Sequence, residues 1–165
     1  MLTTYRLVHV IEENAADIAT ALVDKIADDP RAAGYLDHVP SPELWKRVHE
    51  IYRHLGEWLV NRTPADVEAR YLEIGKRRAS QKLPLSKLLY AILATRDHLN
   101  QYMRLHHPQM EQPSEVMADL EMELLLDQFY NHAIVAAAIG YEQQAEAMRP
   151  RPRFGRLLST TGRKR

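Results

Sequence analysis

The sequence predicts an all-α fold with about five main helices. Three observations point there. Apolar side chains recur at helical spacing in five segments, proline or cap residues punctuate those segments, and no stretch shows the alternation of a half-buried strand. Six glycines in 165 residues are few for a chain built on strands and turns.

The first helix is expected over residues 5–28, where Leu7, Val10, Ile11, Ile18, Leu22 and Ile26 share a stripe. It stops at Asp28-Asp29-Pro30, because proline cannot continue a helix. Ser41-Pro42-Glu43 opens the second helix, with Leu44, Val48, Ile51, Leu55, Trp58 and Leu59 facing the core. Thr63-Pro64-Ala65-Asp66 repeats that start signal and adds an acid in the first turn. The third helix carries Val67, Tyr71, Leu72 and Ile74 and fades near Gln81. A fourth runs from about Pro84 to Leu105, with a stripe of Leu85, Leu88, Leu89, Ile92, Leu99 and Met103. The fifth starts at Pro113-Ser114-Glu115 and reaches Ala147.

Length and composition narrow the function classes. A chain of this size forms one domain with a real core. The absence of cysteine excludes disulfides, thiolate metal sites and a cysteine nucleophile. No leader pattern opens the chain and no window approaches 18 apolar residues, so the expectation is a cytoplasmic protein without a membrane span. The net charge of zero hides an asymmetry. The body up to Met148 holds 15 basic and 22 acidic residues, a net charge of −7. Residues 148–165 hold seven basic residues and no acid, and they read as a flexible basic tail.

The stretch GKRRASQKLPLSKLLYAI, residues 75–92, is the densest basic segment of the body. Lys76, Arg77 and Arg78 fall in the last turns of the third helix, where its partial negative charge favours cations. Pro84 then opens the fourth helix. The charges therefore surround a corner instead of lining one face, which argues against a nucleic-acid interface.

The same stretch, Gly75 to Ser86 with Leu88, Leu89 and Ala91, resembles the RsbR-type N-terminal domain family. VIEENAADIATALVDKIADDP near the start and IVAAAIGYEQ near the end also resemble it. The resemblance covers about residues 5–147. Members commonly carry glycine where this chain has Lys82, so the departure bears on the turn geometry. The resemblance implies a globin-like helical bundle that usually lacks haem, forms a homodimer and serves as a sensory or scaffolding input to bacterial stress signalling. In the best-known members an output domain follows. Here a basic tail follows, so the chain reads as a stand-alone version or an excised input domain.

Candidate binding residues come from polar groups on apolar faces. Arg96 lies about 40° from Ile92 on the fourth helix's stripe, so it needs an ion-pair partner such as Asp127, or else receives an anionic ligand. The fifth helix is apolar nearly all round from Leu124 to Gly140, and Ala136-Ala137-Ala138 with Gly140 would permit close helix approach. Inside it, Asp127 and Asn131, and Gln128 and His132, are spaced four apart. A satisfied internal network, one completed by a second subunit, or a ligand-sensing cluster of Asp127, Gln128, Asn131 and His132 is the expectation.

No metal site is expected: His49-Glu50 is not followed by the second histidine of HExxH, and no Glu-x-x-His pair repeats. For a haem alternative, His54 and His132 are the candidate ligands, while His98 points away on the helical wheel. No phosphate loop or nucleophile elbow is present, so no catalytic activity is expected. The reading is a non-catalytic signalling domain, homodimeric through the first and fifth helices and coupled to an unknown partner protein. The alternatives are a haem or small-ligand sensor, and a helical adaptor that uses its basic tail on an anionic partner.

Overall fold

The computed structural model describes residues 2–106 and 113–152. Among these there is no strand. The helices are α1 (Leu2–Glu13), α2 (Ala15–Asp28), α3 (Tyr35–His38), α4 (Ser41–Arg53), α5 (Pro64–Ser80), α6 (Leu85–His106) and α7 (Pro113–Ala147). A 3-10 turn, Pro30–Ala32, precedes α3, and a π-helical segment, Glu57–Asn61, extends α4. The all-α expectation holds. Most of the basic tail, from residue 153, and the His107-Pro108 pair lie outside the described residues.

Two predicted helices are interrupted. The first breaks at Asn14, whose backbone has φ −104° and ψ 14°. The Asn14 side-chain amide donates to the Val10 carbonyl at 2.8 Å and competes for the acceptor its own backbone N–H uses. α1 can then turn onto α4 and α7 while α2 packs on α4 and α6. The second helix loosens at His54 and resumes with the wider π spacing, Arg62 N–H bonding the Glu57 carbonyl. Glu12 accepts from the Gly56 N–H at 2.8 Å and ties this junction to α1. The extra residue per turn sets Trp58 edge-on to Phe129 of α7, ring centres 6.2 Å apart.

The start signal at Thr63 is realised as a full capping box: Thr63 accepts from the Asp66 N–H, and Asp66 accepts from the Thr63 N–H. The far end of α5 closes with the Leu83 N–H on the Arg78 carbonyl and the Lys82 N–H on the Ala79 carbonyl. This closure requires Lys82 at φ +59°, a left-handed backbone that glycine adopts freely. The lysine at this position therefore holds a strained, left-handed backbone.

α5 and α7 form the most extensive helix pair among the described residues. Their backbones touch. A Cβ on Gly75 would lie 2.0 Å from the Ala137 carbonyl oxygen, and one on Gly140 would lie 2.0 Å from that of Leu72. The small residues of the fifth predicted helix thus meet a glycine on the third. Around this pair the core gathers Ile11, Leu22, Leu55, Leu88, Leu99 and Met122, each at most 1 % exposed.

This packing has two expected outcomes. Gly140→Ala gains about 1 kcal/mol of helix propensity but forces a backbone collision, so a net loss of about 2–3 kcal/mol is expected in urea unfolding with unchanged slope. Lys82→Gly relieves the left-handed lysine, with an expected gain of about 1 kcal/mol, read as a rise of about 3 °C in Tm.

Candidate functional site

α7 is the long axis of the protein, and its surroundings define the candidate site. α5 covers one flank and α6 the other. The remaining face carries Met117, Leu120, Leu124, Val135 and Ile139, which are 44–65 % exposed. At 100° per residue all five fall on one stripe, with Gln128 and Asn131 at its middle. Both amides are exposed. Beside the stripe, α5 and α7 enclose an open groove of about 590 Å³ lined by Ala69, Leu72, Asn131, His132, Val135 and Ile139.

Within one chain the four residues do not form a buried polar network. Asp127, Gln128 and Asn131 are exposed, and His132 is half-exposed. The apolar all-round pattern predicts burial on more than one side, and α5, α6 and α1 do pack on α7, but Gln128 and Asn131 fall on the face they leave open. The four residues diverge around the helix. Asp127 turns to α6, its carboxylate 4.0 Å from Arg96 Nη1, while His132 Nδ1 lies 2.9 Å from Glu68 of α5. Arg96 also lies 3.3 Å from Asp97. With its side chain 26 % exposed, Arg96 sits at a helix–helix edge instead of in the core. Such pairs contribute little to stability.

The histidines do not fit a haem site. His54 is exposed at the end of α4, and His132 is engaged by Glu68 beside an open groove. Neither projects into an enclosed apolar cavity. His98 does not point away: it faces α2, where Nδ1 is buried without a hydrogen-bond partner. Burial and the nearby Lys25 charge push its pKa down, opposed by the Ile18 carbonyl. Among the described residues no cluster of three or more His, Asp or Glu side chains is placed to hold a metal. No described helix is long and apolar enough to cross a membrane.

The basic corner holds the residue that sequence reasoning missed. Arg78, placed among the cations at the end of α5, is 2 % exposed. Its guanidinium Nη1 donates to Glu43 at 2.7 Å and to Gln81 at 2.8 Å. Gln81 donates to the other Glu43 oxygen at 3.0 Å, and Arg77 donates to Glu43 as well. The hydroxyl of buried Tyr35 lies against the same guanidinium, whose charge partly offsets the rise that burial imposes on its pKa. The signal was present in the spacing: Tyr71, Gly75 and Arg78 form the i, i+4, i+7 face that α5 buries. The Arg77 hydrogen bond, with Arg78 behind it, holds the Glu43 carboxyl at a pKa of about 2 against partial burial.

A depressed carboxyl stabilises the fold above its unfolded pKa and loses that contribution as pH falls. The Glu43 share of stability is therefore complete near neutrality and fades as pH drops from the ordinary carboxylate range toward about 2. Glu43→Gln leaves Arg78 buried and uncompensated. It is expected to cost about 3 kcal/mol at pH 7 and to flatten this part of the acid dependence, both read from urea midpoints across pH.

No curated protein and no solved structure matches the chain significantly. Residues 16–153 match the family described as the RsbT co-antagonist protein rsbRD N-terminal domain. That span covers α2 through α7, including the basic corner, the glycine contact and the exposed stripe. This chain therefore belongs to the RsbT co-antagonist rsbRD N-terminal domain family, whose members are regulatory, sensory-type domains.

Proposed function

We propose that this chain is a non-catalytic sensory or scaffolding domain of a bacterial stressosome-like signalling system, and that it acts as a homodimer in the cytoplasm. The observation that carries the reading is the exposed stripe of α7. Monomeric proteins seldom leave so long an apolar row uncovered. The stripe is also symmetric about the midpoint between Phe129 and Tyr130. Gln128 mirrors Asn131, Leu124 mirrors Val135, and Leu120 mirrors Ile139. A self-complementary interface requires such a pattern, because each copy presents the same patch to the other. Over residues 120–139, in either direction of pairing, apolar residues meet apolar residues and amides meet amides; Met117 lies outside this symmetric part. Central amides of this kind select register in paired helices.

In this reading α1, which packs on α7 and α4, joins the interface. A signal that binds two arrangements of the pair differently shifts their balance and moves the chain beyond residue 147. The interface would bury about 1,200–2,000 Å² in total.

Light scattering at micromolar concentration is expected to give the mass of a dimer. Leu124→Glu together with Val135→Glu places like charges in the seam and is expected to give a monomer of unchanged helical circular dichroism. A wild-type monomer at that concentration overturns the dimer reading.

A further inference from the structure

The long helix α7 carries the whole charge imbalance of the body. Pro113–Ala147 holds seven acids and no lysine or arginine. Residues 1–112 hold 15 basic and 15 acidic residues and balance. The seven basic residues of the tail follow α7 directly, beginning at Arg149. The last turn of α7 has no cation to meet the partial negative charge of its own end. The neutrality of the chain is thus a balance between one helix and the segment that follows it.

Position adds to sign. At 100° per residue, Glu142 and Glu146 continue the stripe of Leu124, Val135 and Ile139 toward the end of α7, and both are exposed. The chain already turns toward them. The Arg149 N–H bonds the Glu146 carbonyl at 3.2 Å, and the Arg149 guanidinium meets the Glu146 carboxylate at 2.9 Å. Pro150 and Pro152 bar a continued helix and favour an extended chain. Beyond them the sequence adds Phe154, Leu157 and Leu158 around Arg156. Extended, the stretch from Ala147 to Phe154 spans about 22 Å. The rise along α7 from Ala147 back to Val135 is about 18 Å, so Phe154 reaches it.

The place of arrival is the groove between α5 and α7. Its volume of about 590 Å³ falls in the range of about 300–1,000 Å³ typical of binding pockets, so it has room for large side chains. Ala69, Leu72, Val135 and Ile139 supply apolar walls. Glu68 stands among them, 53 % exposed, with His132 at 2.9 Å. The cations of α5 are engaged by other acids: Arg70 by Glu50, Lys76 by Glu73, and Arg77 and Arg78 by Glu43. Arg96 reaches Asp127 at 4.0 Å but also faces Asp97. A segment that alternates arginine with proline and then turns apolar therefore matches α7 in charge and the groove in polarity.

We propose that residues 149–158 dock on α7 of the same chain, with the arginines before Phe154 along Glu146 and Glu142 and the apolar side chains of Phe154 and Leu157 in the groove. Docked so, the arm lies on the α5 side of the stripe and leaves Leu120, Leu124 and Gln128 free. It also neutralises α7, whose charge two paired copies would bring together. The docking lies within one chain and does not rest on the dimer reading. Failure of light scattering to find a dimer leaves it standing, and its own failure leaves the dimer standing.

The chain has no cysteine, so Ser159→Cys in the full chain carries a single nitroxide label. Backbone amide signals are compared by nuclear magnetic resonance with the label oxidised and reduced. The expected result is a selective loss of signal at residues 68–72 and 135–139, with α2 unaffected. A second sample mixes isotope-labelled chain lacking the nitroxide with nitroxide-bearing chain lacking the isotope, and no loss is expected there. Phe154→Ala with Leu157→Ala and Leu158→Ala, all outside the described helices, is expected to abolish the loss in the first sample. Four results overturn the proposal. No selective loss means the arm does not dock, and a loss at other positions means it docks elsewhere. A loss in the mixed sample places it on a second copy. A loss that survives the triple substitution means the groove does not hold its apolar side chains.

Discussion

The backbone contact between α5 and α7 is the constraint on which the rest of the structure depends. Gly75 and Gly140 let the two helices approach until carbonyl oxygens occupy the space a Cβ would need. An ordinary helix pair keeps its axes about 8–10 Å apart to accommodate side chains. Here the pair closes further, and the surrounding packing adapts to it. Phe129 is drawn edge-on to Tyr71 and Trp58, and Tyr141 reaches the Leu83 carbonyl at 2.6 Å, holding the corner after α5. α5 takes this flank of α7, α6 and α1 pack elsewhere on it, and the face with Leu120, Leu124, Val135 and Ile139 is left exposed.

That exposed face and the buried corner answer different needs. The corner concentrates charge where water is scarce, with two arginines, one glutamate and one glutamine within hydrogen-bond reach. Buried ion pairs of this kind add little net stability compared with aliphatic packing, but they penalise any arrangement that separates them. The corner thereby holds α4 against the end of α5. The α7 face leaves apolar surface in water, which is unfavourable for a lone chain and suits an assembly. A regulatory domain needs both a rigid body to transmit a change and a surface that passes it on.

The sites are also distinct in how they could respond. Arg96, Asp127, Glu68 and His132 form exposed pairs along the edges of α7, where solvent and salt weaken them. Arg78 and Tyr130 are buried, so water weakens their interactions little. Discrimination between two states of the protein comes more readily from the enclosed groups, because their interactions change most when a partner is gained or lost.

By itself, the sequence determined the main helices but not the breaks at Asn14 and His54 or the short α3: periodicity placed the helices, and Thr63, Pro64 and Pro84 marked two of their starts. These signals are local, since a cap or a proline acts within one turn. It also determined that Ala136, Ala137 and Gly140 permit a close helix, because small size is a property of the residue alone. Only the tertiary structure decided which helix came close, which acid met the buried Arg78, and that Asp127, Gln128 and Asn131 faced outward. Each of these depends on how many neighbours surround a helix. A helical wheel gives the direction of a side chain but not its opposite neighbour, so an all-round apolar helix with two covered flanks reads the same as one covered on every side.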